Sequence, residues 1–382
     1  MEITRIGIVG GGQLGKMMIL DAKRLGYYVV ILDPTKHCPA HSIADEHIIA
    51  KFDDIDAFLT LGSKVDVITY EFEHIDVNAL KTLEKNGHAV LPTSKTLERI
   101  QNKCVQKQWL KDSGIPIPKF QSISSIEDLD PSNLSFAYPV VLKTCVGGYD
   151  GKGNYVIKNE NDIKKAFESL GSGEIPLMVE EFIPFDMEIS VLICSNKNKK
   201  YKSTIFPIAE NKHVNSILDE TIVPARTNEK VANKALKVAE DVAKVFSSCG
   251  MLCVEMFVTK KGEVLVNEIA PRPHNSGHYT IEGCYTSQFE QHIRAITGLP
   301  FGSTELLQPT VMKNVLGQRN GNAKTKVNGL SEALIDNKIK VHIYGKEIVK
   351  EGRKMAHITA CNKNVDYALE SVKKAYEKID FL

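Results

Sequence analysis

The chain has 382 residues, 43% hydrophobic and 25% charged, with a formal net charge of +1. That composition is ordinary for a globular protein of two or three domains with sizeable cores. Near-neutral charge offers no electrostatic reason to bind nucleic acid or an anionic membrane. Eight cysteines, at 38, 104, 145, 194, 249, 253, 284 and 361, include no Cys-x-x-Cys pair. The scatter predicts reduced, mostly buried thiols, not a disulfide frame or a zinc site. With no signal-peptide pattern and no run of eighteen apolar residues, a soluble cytoplasmic protein is expected.

Arg5–Val9 reads as a short buried strand entering Gly10-Gly-Gly-Gln-Leu-Gly15, followed by a helix from about Lys16 to Leu25 and a second strand, Tyr28–Leu32, ending at Asp33. The spacing Gly10-x-Gly12-x-x-Gly15, with an acidic residue 18 positions after the last glycine, is that of a dinucleotide-binding turn. It proposes an NAD enzyme, but any strand–turn–helix unit that cradles a phosphate can produce it. Val65–Thr69 is a further strand, leading into Tyr70-Glu-Phe-Glu73, and Ala89–Leu91 another. Residues 1–93 therefore read as a small Rossmann-like α/β domain without the second half that a complete dinucleotide domain needs.

From Ser94 to Ser113 the apolar spacing is helical, with Arg99 and Lys103 one turn apart. Gly114-Ile-Pro-Ile-Pro118 breaks that helix and reads as a hinge. Tyr138–Lys143 is a strand with a lysine at its end, and it runs into Gly147-Gly-Tyr-Asp-Gly-Lys-Gly153. Glycines there permit close backbone approach, so a cationic flap over polyphosphate is the economical reading. Leu177–Ile183 and Glu188–Ile193 look like strands joined by a turn at Pro184.

Helices are predicted over Asn228–Phe246, Ser287–Ile296 and Val365–Lys378, and short strands over Thr310–Val315 and Lys340–Tyr344. Between them, Cys253–Val258 and the apolar run from Val264 are strands joined by a turn at Lys260–Gly262. That hairpin can set Glu255 beside Glu268. Two close carboxylates repel unless a cation lies between them, and Mg²⁺ shared with nucleotide phosphates is the usual remedy. The second strand ends in a polar loop crowded with Arg272, His274, Asn275, Ser276 and His278.

Lys143, the glycine flap, the strand 179–183, Glu188, Glu255 and Asn267-Glu268 resemble, in that order, the ATP-grasp superfamily. Gly11–Gly15, Tyr70–Glu73, Gly147–Gly153, Ala270–His278, His342–Lys346 and Gly352–Lys354 resemble, within it, the N5-carboxyaminoimidazole ribonucleotide synthetase family. The resemblance covers nearly the whole chain and implies an ATP-grasp fold: a domain at 94–300 with a lid at about 115–185, and a small β-rich C-terminal domain at 301–382. The implied activity is carboxylation of aminoimidazole ribonucleotide with ATP and bicarbonate through carboxyphosphate, in purine biosynthesis, by a homodimer.

The resemblance also implies roles. Arg99 and Lys143 contact the ATP phosphates, under a flap of Gly148, Tyr149, Asp150, Gly151, Lys152, Gly153 and Asn154. Glu180, Glu181, Phe182 and Ile183 face adenine, Glu188 takes the ribose, and His213 and Asn267 complete the site. Glu255 and Glu268 hold Mg²⁺, for which Mn²⁺ can substitute. The ribonucleotide lies against Gln13, Leu14, Glu73, Asn275, Ser276, Lys346, Arg353 and Lys354, with Asp150, Arg272, His274 and Lys346 at the chemistry. One departure stands out: where many ATP-grasp enzymes place an Asn two residues after the metal-binding Glu, this chain has Ala270, so a second cation lacks a usual ligand. The alternatives are an NAD-dependent dehydrogenase, a formate-using glycinamide ribonucleotide transformylase or biotin-dependent carboxylase subunit, and a non-catalytic nucleotide-binding regulator.

Overall fold

The computed structural model describes residues 4–148, 153–319 and 323–382. The first sheet is parallel, in the order Glu46–Ile48, Tyr28–Leu32, Arg5–Val9, Val67–Tyr70. Two of these strands lie where the apolar runs predict. The third starts two residues late because Val65 closes the helix Ile55–Lys64. Ala89–Leu91 contributes only a single parallel bridge, Ile68 to Val90. The edge strand Glu46–Ile48 was not predicted, since Glu-His-Ile carries no apolar alternation to reveal it. The first helix spans Gln13–Arg24, so it begins inside the glycine loop, three residues earlier than expected.

The long helix predicted over 94–113 is two helices, Ser94–Gln101 and Lys103–Asp112. Asn102 separates them: its backbone is extended and its side chain accepts from the N–H groups of Cys104 and Val105. An Asn cap satisfies donors that a continuous helix would have used internally, which favours the break.

A second, antiparallel sheet occupies the segment expected as the lid: Phe120–Ile123, Leu177–Glu181, Val140–Thr144, Asn154–Ile157. The central sheet is antiparallel and has nine strands. From one edge it runs Val264–Ala270, Gly250–Thr259, Phe185–Ser195, Ala209–Val214, Ile217–Val223, Thr310–Leu316, Lys354–Cys361, Ile339–Ile343, with Ser203–Ile205 paired to Phe185–Ser195. The strands on either side of Pro184 thus belong to different sheets, and residues 182–184 carry the chain from lid to core. Three C-terminal strands extend the central sheet, while Ala323–Lys324 pairs with Ile348–Val349 and Val327–Asn328 with Asp380–Phe381 in two small sheets of their own. Helix Glu229–Phe246 buries Val231, Ala235, Ala239 and Val242 on one face of it. Among the described residues no helix is long and apolar enough to cross a membrane.

The cysteine expectation needs one correction. Cys104 and Cys145 form a disulfide, while the other six cysteines are free. The pair is 41 residues apart in sequence, and it meets because the Lys103 N–H donates to the Cys145 carbonyl at 2.7 Å, docking the start of one helix against the loop that follows a lid strand.

His292 joins the first sheet to the core. Its Nε2 lies 2.7 Å from the Thr69 hydroxyl, and its Nδ1 accepts from the Met251 N–H at 3.0 Å. Burial pushes the imidazole down to about 3. The unfolded chain takes up a proton near pH 6.5 that the folded chain refuses, so stability falls as pH drops below that value. His292→Gln removes this proton uptake. Between pH 7 and pH 5.5, the stability difference between wild type and variant in urea unfolding is expected to shrink by about 1 kcal/mol.

Candidate active site

Lid, central sheet, first sheet and C-terminal strands enclose a cleft of about 1070 Å³. Its best-buried polar group is Glu180, 2% exposed on the lid strand Leu177–Glu181. One oxygen pairs with Lys107 at 2.9 Å and the other with Lys143. Burial alone pushes this carboxyl up, but the two lysines outweigh it and hold it at about 2. Lys107 also donates to the Val266 carbonyl at 3.2 Å, so the cluster ties the lid to the core. The Glu180 carboxylate is therefore matched by two lysines while the residue also lines the cleft. Glu181, Phe182 and Ile183 line the cleft beside it.

Arg99 lies against the second of the two helices. Its guanidinium lies 3.8 Å over the Trp109 ring, and it does not line the cleft. The break at Asn102 turns Lys103 inward in its place, where it pairs with Glu268 at 3.1 Å. Enclosure pushes the Glu268 carboxyl up, but Lys103 more than offsets this and holds it below its ordinary value.

The hairpin sets Glu255 directly opposite Glu268. Glu255 has no such cation: burial, with Glu268 and Glu188 adding, pushes it up to about 7 against the pull of His213. Two cleft-facing carboxylates, one of them undercompensated, suit a hard divalent cation that takes oxygen ligands. Asn267 and Ala270 line the same wall. Glu188 accepts from His213 at 2.8 Å, and the stacked rings of Phe185 and Phe257, 4.8 Å apart, lie beside them.

The other half of the cleft is built around Arg272, which pairs with Glu73 at 2.9 Å. Gln13, Leu14, His274, Asn275, Lys346, Arg353 and Lys354 line this half. His274 Nδ1 lies 2.9 Å from the Ser276 hydroxyl, and its Nε2 lies 3.7 Å from Glu255. Burial, with Arg272 nearby, pushes His274 well below the usual imidazole range, so it is neutral. Ser276 is corrected: fully buried and bonded to Ser190 at 2.8 Å, it backs His274 and does not line the cleft. Asn275 exchanges amide hydrogen bonds with Asn314 at 3.0 and 2.6 Å. Lys346 Nζ donates to the Lys354 carbonyl at 2.6 Å, and Arg353 donates to the Ile348 carbonyl at 2.8 Å.

Of the flap, Gly148 and Asn154 line the cleft, and Gly153 has φ +86° with a would-be Cβ 2.5 Å from the Thr144 hydroxyl. Tyr149, Asp150, Gly151 and Lys152 lie outside the described residues.

Three family models match the chain: a ribonucleotide synthetase preATP-grasp domain over residues 3–101, an ATP-grasp domain over 108–289, and a phosphoribosylaminoimidazole carboxylase C-terminal domain over 310–371. The N5-carboxyaminoimidazole ribonucleotide synthase of Bacillus subtilis strain 168 is 43% identical over 98% of this chain and 96% of its own length. The chain belongs to the N5-carboxyaminoimidazole ribonucleotide synthase family. The synthetase structure from Thermotoga maritima matches with a TM-score of 0.89 at 43% identity, covering 100% of this chain and 99% of that one. An Aspergillus clavatus synthase, solved with ADP and 5-aminoimidazole ribonucleotide, matches with a TM-score of 0.89 at 31% identity over 98% of both chains. The ATP-grasp fold with a preceding Rossmann-like domain is thus that of the synthase family, and the C-terminal match separates the chain from other ATP-grasp ligases.

The dehydrogenase alternative meets a physical obstacle as well. The glycine-loop N–H groups that would receive a pyrophosphate already donate inward, Gly11 to Asp33 and Gly12 and Gly15 to Glu71.

Sequence reading missed Lys103 and Lys107. Their spacing of four, which puts both on one face of the second helix, was the available signal, hidden while the two helices were read as one. Breaking a buried ion pair by removing one partner costs about 3–5 kcal/mol. Glu180→Gln is expected to lose that much stability in urea unfolding, and adding Lys107→Met should restore part of it by removing one stranded charge. A loss below about 1 kcal/mol would show that the cluster does not hold the lid.

Proposed function

We infer that this chain carboxylates 5-aminoimidazole ribonucleotide to N5-carboxyaminoimidazole ribonucleotide, using ATP, in purine biosynthesis. One observation carries the reading: a single cleft joins the lysine–carboxylate set of an ATP site to the Glu73, Arg272, Lys346 and Arg353 set beside the family's own C-terminal segment. Bicarbonate as the carbon source, Mg²⁺, a homodimer and a cytoplasmic location belong to the same reading.

Lys143 and Lys103 face the nucleotide phosphates, with the 148–154 flap, including Tyr149, Asp150, Gly151 and Lys152, closing over them. Phe182, Ile183 and the Phe185–Phe257 pair offer apolar contact to the purine, and Glu188 accepts from the ribose hydroxyls. Glu255 and Glu268 would hold Mg²⁺, which when bound would neutralise charge at the phosphates. A bicarbonate oxygen attacks the γ-phosphorus, breaking its bond to the ADP oxygen and giving carboxyphosphate. The exocyclic amine of the ribonucleotide then attacks the carboxyl carbon, phosphate leaves, and the amine proton passes to it. His274 is neutral and its Nδ1 faces Ser276, so it presents an Nε2–H and serves as a hydrogen-bond donor to an oxyanion, not as a base. Arg272, balanced by Glu73, orients the ribonucleotide, while Lys346, Arg353 and Lys354 face its phosphate. Closure of the flap keeps water from the acyl phosphate.

Release of ADP with aminoimidazole ribonucleotide, present only when bicarbonate is added, tests the reaction directly. ADP release that ignores either co-substrate would refute it. Glu268→Gln is expected to abolish this turnover and also to lower the urea midpoint, because it strands the Lys103 charge that Glu268 matches. Near-wild-type turnover in that variant would remove Glu268 from cation binding. Arg353→Ala should raise the half-saturating ribonucleotide concentration roughly ten- to a hundredfold, since a charge-assisted hydrogen bond contributes about 1.5–3 kcal/mol. Mg-ATP affinity should hardly change, and equal weakening of both ligands would rule out the phosphate role.

A further inference from the structure

Glu71 sits in the Tyr70–Glu73 segment, yet the chemistry above gives it no task. It is 7% exposed and lies under the glycine loop. One of its oxygens accepts from the Gly12 N–H and the other from the Gly15 N–H, the latter at 2.6 Å. The loop's glycines are shaped to this carboxylate. A Cβ on Gly10 would stand 2.4 Å from the Glu71 Cγ, and one on Gly12 would stand 2.5 Å from Oε1. Donors at the start of a helix, in a loop of this spacing, ordinarily receive a phosphate. In this chain the anion is built in.

The two N–H groups that Glu71 grips bracket Gln13 and Leu14, which both face the cleft. One residue further, Lys16 donates to the Ile343 and Tyr344 carbonyls at 3.2 and 3.0 Å. The loop is thereby held between a carboxylate below it and the C-terminal strand beside it.

We propose that Glu71 is a positioning residue for the ribonucleotide: a resident anion that sets Gln13 and Leu14 against the substrate and, by filling the helix start, leaves the substrate's phosphate to the Lys346–Lys354 segment. This rests on the carboxylation reading above. It accounts for a dinucleotide-type loop in a chain with no second dinucleotide half. It also assigns the orientation of the ribonucleotide, whose phosphate would otherwise have two places to go.

The test uses the full chain and three variants. Glu71→Gln keeps the volume but places an NH₂ against one of two backbone N–H groups, so it cannot accept both. Its half-saturating aminoimidazole ribonucleotide concentration is expected to rise roughly tenfold or more, with Mg-ADP affinity unchanged within about twofold. Glu71→Ala leaves a hole with free donors, and added formate should restore part of its ribonucleotide affinity without helping Glu71→Gln. Gly12→Ala, which pushes the carboxylate away from the other side, should reproduce the Glu71→Gln phenotype. The proposal is overturned if ribonucleotide and ADP weaken together, if neither weakens, if formate does nothing for folded Glu71→Ala, or if none of the variants folds. A wild-type chain that fails to turn over the ribonucleotide sinks the proposed function itself; a wild type that turns it over beside unaffected variants sinks only this inference.

Discussion

Glu180 is the constraint on which the cleft depends. A carboxylate that is 2% exposed is tolerable only if its charge is matched, and Lys107 and Lys143 match it from two different elements. Lys143 comes from the lid and Lys107 from the helix Lys103–Asp112, which is itself bonded to the core strand through the Val266 carbonyl. Because none of the three groups is stable there without the others, lid and core meet in one arrangement. That arrangement also holds Lys143 at the edge of the nucleotide cleft.

The same logic of matched charge runs through the rest of the site. Glu268 has Lys103, Glu73 has Arg272, and Glu188 has His213. Glu71 and Asp33 accept from backbone donors instead of cations, although burial still pushes the Glu71 carboxyl above its ordinary value. Glu255 is the exception, opposite another carboxylate, with only distant help from His213 and a neutral His274 at 3.7 Å. On the proposed reading, this undercompensated point is where a cation would bind beside the anionic substrates.

The site's two halves come from opposite ends of the chain, and packed elements bring them together. Lys16 ties the first helix to the strand Ile339–Ile343, Ser287 donates to Asp21 at 2.5 Å across the first domain and the core, and His292 bridges Thr69 and Met251. These contacts hold Gln13 and Lys346 in place on the wall of one cleft.

What could be read from residue order was whatever local physics decides. Apolar runs gave Arg5–Val9 and Tyr28–Leu32 to the residue, the helix over Asn228–Phe246 followed from 3.6-residue spacing, with Asn228 proving to be its cap, and the hairpin with Glu255 opposite Glu268 followed from two strands and a short turn. The order of motifs along the chain was enough to reach the family. Three kinds of fact were out of reach. The direction of a side chain after a helix break, as with Arg99 and Lys103, depends on a cap that competes with a continuous helical pattern. Which sheet a strand joins, as on either side of Pro184, depends on partners far away in sequence. Whether the glycine-loop donors face a ligand or Glu71 depends on a carboxylate 59 residues from Gly12. Local periodicity determines elements because neighbouring residues supply the hydrogen bonds; partners for buried charges come from anywhere in the chain, so only the tertiary structure could assign them.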